Sequence, residues 1–241
     1  MFFYLKANKK MKKIIICITF ITSYLSINAQ VKREQTYWTR LYVRVKLNDK
    51  WSWQTEADNR RFFGENKELQ FITHTHIHRK FGKNTEGSVG LTYSAVWQGI
   101  LPVPEWRPFQ EFYFYQKIND KARFSHRFRT EERWFHNYSK DVFGAETLTS
   151  GYNFKFRFRY MLRFDYKLSE KWVFKLSDEL MYHTNDFDQN RLYSGFEYKF
   201  AKTASIELGY LKLYQKRSGG KGFYNRDNLR LTIYKDFALK H

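Results

Sequence analysis

The feature that most restricts the fold of this chain is a run of strict alternation between Tyr152 and Leu168. Tyr152, Phe154, Phe156, Phe158, Tyr160, Leu162, Phe164, Tyr166 and Leu168 share one parity, while Lys155, Arg157, Arg159, Arg163 and Asp165 share the other. A period of two marks a β-strand with unlike faces, because successive side chains point to opposite sides of the pleat. Strands usually run about 5–6 residues. An alternation several times that long needs an apolar medium on one side and water or polar side chains on the other, which is the situation of a strand in a transmembrane β-barrel.

A second regularity is a repeated hairpin. Lys46-Leu47-Asn48-Asp49-Lys50-Trp51, Lys80-Phe81-Gly82-Lys83-Asn84-Thr85, Lys117-Ile118-Asn119-Asp120-Lys121-Ala122, Lys167-Leu168-Ser169-Glu170-Lys171-Trp172 and Lys199-Phe200-Ala201-Lys202-Thr203-Ala204 follow one plan. Each reads as a Lys, an apolar residue and a three-residue turn, a favoured hairpin length. The connections between these hairpins are longer and irregular, at 62–68, 99–107, 137–150, 184–190 and 215–223. Pro102, Pro104 and Pro108 fall in or beside the second of them. Short turns at one rim and longer loops at the other is the layout of an outer-membrane barrel with its short turns in the periplasm. The apolar parity carries through every turn, so Trp51, Trp53, Phe81, Trp172, Phe174 and Phe200 are expected to form an aromatic girdle near the turn-side interface.

The chain is therefore expected to be all-β, a single antiparallel up-and-down transmembrane barrel. Eleven alternating segments can be counted, at 37–47, 51–62, 69–81, 87–98, 107–118, 122–136, 150–168, 171–183, 190–200, 204–215 and 224–237. Bacterial single-chain barrels have even counts. Within a range of ten to twelve strands, twelve is expected, with Val31–Thr36 pairing as a short extra strand after a reversal.

Residues 1–30 read as a cleaved signal peptide and 31–241 as the barrel. Lys12 and Lys13 give a basic start, 14–27 is largely apolar, and Ala29 places a small residue before Gln30. Met11 offers an alternative start. The apolar run is shorter than the roughly 18 residues that span a bilayer as a helix. The one cysteine, Cys17, lies in this segment, so the exported part has no disulfide, thiolate metal site or cysteine nucleophile. Removing five lysines and no acid takes the net charge from +19 to +14. Positive charge with many aromatics can signal nucleic-acid binding. Here the aromatics and the cations lie on opposite faces, and with export this excludes nucleic acid as a partner.

From Tyr37-Trp38-Thr39 through the repeated hairpins to Asn190-Arg191-Leu192-Tyr193 and Leu229-Arg230-Leu231-Thr232-Ile233-Tyr234, the chain resembles the outer-membrane barrels of Gram-negative bacteria grouped as domain of unknown function 2490. The resemblance implies an outer-membrane location and carries no established catalytic residues. Residues 1–10 and the tail beyond Phe237 depart from the pattern, since such barrels tend to end on an aromatic residue. Outer-membrane lipid and, during insertion, the barrel-assembly machinery are the partners such a barrel is expected to meet.

With the outward face assigned, counting from each turn fixes which inward residues oppose each other. Tyr42 should face Glu56, Arg40 Asp58, His76 Gly90, Glu111 Arg129, Asp165 Lys175, and Glu197 Glu207. Basic residues concentrate on two neighbouring segments: Arg123, Arg127, Arg129, Arg133, Lys155, Arg157, Arg159 and Arg163 against Glu131 and Asp165. One reading has Glu56, Asp58, Glu179, Glu197 and Glu207 reach across and neutralise them. The other has aligned cations focus their field on a small anionic solute. Glu197 opposite Glu207 is a carboxylate pair of a kind that can share a proton. His74, His76 and His78 share the inward parity, about 6–7 Å apart at the usual strand rise, a spacing that suits two ligands to one metal better than three. Ser88 opposite His78 is the one pair that brings a hydroxyl to an imidazole, with no third group to orient the histidine. No cofactor is expected. Three functions follow: a small channel or solute-binding barrel, an outer-membrane lipid or ester hydrolase, and a structural or surface-interaction barrel with a packed lumen.

Overall fold

The computed structural model describes residues 31–239 apart from 66, 98 and 218–220, and the segment read as a signal peptide lies outside the described residues. The elements are all strands: β1 (Val31–Lys46), β2 (Trp51–Phe62), β3 (Glu68–Lys80), β4 (Thr85–Trp97), β5 (Pro102–Lys117), β6 (Ala122–Lys140), β7 (Glu146–Lys167), β8 (Trp172–His183), β9 (Asp186–Ala201), β10 (Ala204–Lys216) and β11 (Phe223–Ala238). They form one closed barrel in which β1 lies between β2 and β11. Neighbours are antiparallel except at that seam. There β1 and β11 run parallel, from Val31 opposite Phe223 to Lys46 opposite Ala238.

The described strands number eleven, one short of the twelve favoured by the even-count rule. Val31–Thr36 makes no reversal; it is the first part of β1 and pairs with Phe223–Asn228. Direction alternates from strand to strand, so an odd count brings the first and last strands together pointing the same way. Parallel pairing is only slightly weaker per residue than antiparallel, and the whole of β1 takes part.

The hairpin repeat forms the tight turns of one rim. Leu47, Phe81, Ile118 and Leu168 each donate their N–H to the carbonyl four residues on, at 2.9–3.1 Å. Asn48 Oδ1 accepts from the N–H groups of Lys50 and Trp51, and Asn119 Oδ1 does the same for Lys121 and Ala122. These are Asx turns, in which a short polar side chain closes the loop that the backbone alone would leave open.

At the other rim the connections are shorter than the sequence suggests. Strand β5 begins at Pro102, so all three prolines lie in the sheet. Proline has no N–H to give a ladder. The pairing of β5 with β6 accordingly skips Arg107 and Pro108, while the pairing with β4 runs unbroken. Strands β6 and β7 continue as a long hairpin to a turn at 141–145, with a register shift at His136 and Asn137. Strands β8 and β9 are joined by Thr184 and Asn185 alone.

The faces divide as the alternation requires. Phe158 is 49% exposed on the outer surface, while Arg157 beside it is 4% exposed inside. Trp51, Trp53, Phe81, Trp172 and Phe200 project outward near the tight turns. Every expected inward pair is in register, including Arg40 with Asp58, Glu111 with Arg129 and Glu197 with Glu207. Gly195 and Gly209 oppose each other under the Tyr193 ring, where a Cβ on either would sit within 2.3 Å of a Tyr193 ring or hydroxyl atom.

Candidate functional site

The inward faces enclose a cavity of about 2180 Å³ whose lining runs from turn residues such as Asn48 and Asp120 at one rim to Arg217 and Lys221 at the other. At its waist, buried acids each hold several cations. Glu131 lies fully enclosed on β6; its Oε2 accepts from Arg157 Nε at 2.6 Å, its Oε1 accepts from Arg159 Nη1 at 2.7 Å, and Arg129 Nε stands 2.7 Å away. Glu105 accepts a bidentate pair from Arg107, both at 2.6 Å, and a third bond from Arg133 Nε. Glu179 accepts two bonds from Arg159 and one from Arg127. Carboxylates that accept two or more guanidinium bonds satisfy the polar groups of both partners, which is the condition for burying charge without prohibitive cost.

The guanidinium planes are also held by aromatics. Arg60 stacks on Trp38 at 3.8 Å, Arg129 on Phe109 at 3.7 Å and Arg230 on Tyr193 at 3.7 Å. Stacking fixes each fork on the wall while its edges remain available for hydrogen bonds. Arg40 differs: its contacts with Glu56 and Asp58 are long, at 3.8 and 3.7 Å.

Of the basic cluster expected on β6 and β7, Arg127, Arg129, Arg133, Arg157 and Arg159 enter this waist. Arg123 and Arg163 share Asp165 towards the tight turns. Lys155 is exposed near the opposite rim and lies 6.0 Å over the Phe135 ring. Neutralisation is more local than the sequence suggests. Glu179 does serve Arg127 and Arg159, but Glu56 and Asp58 face Arg40, and Glu197 and Glu207 meet Lys175 at 2.7 and 2.5 Å. The carboxylate pair is thus bridged by an ammonium group. Glu207 further accepts from Tyr193, Tyr234 and Arg230.

Two waist acids lie where the sequence indicates loop. Glu105 sits between the prolines and keeps the inward parity of Arg107 and Glu111, so carrying the alternation through the prolines would have found it. Asp188 has the outward parity of β9. It points inward because the register shifts between Met181 and Tyr182, leaving Asp188 as the extra residue of a bulge. Its carboxylate accepts from Arg157 Nη1 at 2.8 Å.

The histidines have separate partners: His74 with Thr92 at 2.6 Å, His76 with Gln54 at 2.7 Å and His78 with Glu86 at 2.6 Å. Among the described residues, no three His, Cys, Asp or Glu side chains are placed to hold a metal ion. Ser88 opposes His78 across β3 and β4, yet its hydroxyl donates to Glu111 at 2.9 Å. The hydroxyl and the imidazole are therefore engaged with different carboxylates, Glu111 and Glu86.

A family model described as "Protein of unknown function (DUF2490)" matches residues 35–224. A solved structure described as the NanC porin in a rhombohedral crystal form is similar in fold, with a TM-score of 0.54 at 13% identity, covering 83% of this chain and 96% of that one. No curated protein matches the chain significantly.

Proposed function

This chain belongs to the DUF2490 family, and from the geometry of its lumen we propose that it is an outer-membrane channel for small anionic solutes. The observation that carries this reading is the lining of the cavity. It extends from rim to rim, and its Lys and Arg residues outnumber its Asp and Glu residues by nearly two to one, the enclosed Asp58, Glu105 and Glu131 included. A low-dielectric wall concentrates the field of such an excess on ions inside it. The porin fold of the structural neighbour and the outward aromatic surface agree with a bilayer setting.

The mutual pairing of charges at the waist favours a second reading, a barrel whose packed lumen serves a structural or surface role. Its buried acids and arginines hydrogen-bond one another, which occupies much of their polar capacity. One experiment separates the two. Purified protein in a planar bilayer under a KCl gradient should conduct, with a zero-current potential of the sign set by chloride. A potential of the sign set by potassium overturns the anion reading, and silence at all voltages supports the packed lumen.

A further inference from the structure

The charges at the waist are paired, whereas several lysines at the tight-turn mouth are not. Each of the five turns begins in lysine and carries a second lysine three or four residues on, and these lysines are exposed. Lys50, Lys80, Lys83, Lys121, Lys167 and Lys199 all line the turn-side mouth of the cavity. None of the six takes part in an ion pair among the described residues. Neighbouring turns also bring them together: Lys80 N–H donates to the Lys50 carbonyl at 2.9 Å, and Lys167 N–H to the Lys121 carbonyl at 2.8 Å.

The acids within reach are mostly committed. Asp49 accepts from Lys46 at 2.7 Å and Asp120 from Lys117 at 2.6 Å. Each lysine partner holds its aspartate below the usual carboxylate range, first through the hydrogen bond and then through its charge. Glu86 is held by His78 and Arg44. Asp236 and the turn residue Glu170 stand without an ion pair among the described residues, against six ammonium groups that make none.

Like charges held side by side repel, and the turns close without these ammonium groups, through the Asn48, Asn119 and Ser169 caps and, at Phe81, through a backbone hydrogen bond. We propose that this lysine ring is a binding site for a soluble polyanion, a ligand carrying several closely spaced phosphates or carboxylates. Such a ligand bridges neighbouring ammonium groups that form no ion pair within the protein. The inference goes beyond ion conduction, since it concerns equilibrium binding at one mouth, and it holds whether or not the waist conducts.

The test is calorimetric titration of the full barrel in detergent with inorganic tripolyphosphate. Saturable binding that weakens steeply as salt is raised is expected, because exposed charge–charge contacts are screened. Replacing Lys50, Lys80, Lys83 and Lys121 by Gln should weaken it about tenfold or more, as several exposed ion contacts are lost together. Lys171→Gln with Lys202→Gln is the control, since these two belong to the same turns but do not line the mouth; it should change binding by less than about twofold. Equal losses in both variants, or no saturable binding in the unaltered protein, overturn the proposal. A heat-dependent gel shift shared by all variants verifies folding, and a bilayer recording tests conduction separately.

Discussion

Glu131 is fully enclosed and faces Arg129, Arg157 and Arg159, so its carboxylate compensates more buried positive charge than any other group on β6. Removing one partner of a buried ionic group costs far more than the group contributes net, about 3–5 kcal/mol, because the remaining charges stay behind uncompensated. Glu131→Ala is expected to lower the unfolding free energy in lipid by that amount in a urea titration. Lys155→Ala removes an exposed group with no ion pair among the described residues and should change it by about 0.5 kcal/mol or less. Equal effects would mean that the waist is hydrated and its pairing carries little stability. At this scale most of the candidate site was legible in the sequence, since parity alone assigns Arg157, Glu131 and Glu207 to the interior. Asp188 was not legible. A bulge changes which way one residue points without changing composition or spacing, and only the register with β8 reveals it.

The elements differ in how they are secured at the loop rim. Strands β6 and β7 run 19 and 22 residues, and Glu146, the first residue of β7, reaches the neighbouring β4–β5 connection. Its Oε2 accepts the N–H groups of Ile100 and Leu101, both at 2.8 Å, while Lys140 donates to Oε1 at 3.2 Å. The carboxylate leaves no room for a side chain at Gly99, whose Cβ would fall 1.7 Å from Glu146 Oε1. Hydrogen bonds to a charged acceptor are stronger than those between neutral groups. Glu146→Ala should therefore speed hydrogen exchange at the Ile100 and Leu101 amides by about tenfold or more, leaving amides at the centres of β4 and β5 unchanged. Unaltered exchange at Ile100 and Leu101 would show that the connection holds its shape unaided. The tight turns were legible in sequence because each carries its own lysine and apolar markers. The loop rim was not, because Pro102, Pro104 and Pro108 look like breakers to local reading, whereas a strand with a proline accepts the gap where its N–H is missing.

For the whole molecule, the odd strand count sets which rim each end of the described chain occupies. Strand β1 starts beside Phe223 at the loop rim and descends to the tight turn at Lys46, and β11 runs the same way to Ala238. Val31 and Ala238 therefore lie at opposite rims, whereas an even barrel returns both ends to one side. In the proposed orientation the tight turns face the periplasm, so the start of β1 faces the cell exterior. Cysteine labelling reads this directly, because Cys17 is the one cysteine in the sequence and lies before the described residues. Lys32→Cys should react with a membrane-impermeant maleimide on intact cells. Asn48→Cys and Leu239→Cys should react only after the outer membrane is opened. If Lys32→Cys behaves like Asn48→Cys, the first strand does not begin at the outer rim, and the parallel seam with β11 is lost. Both Lys32 and Asn48 border the cavity rather than the lipid-facing wall, so the comparison reports which rim each residue occupies and is not confounded by burial in lipid.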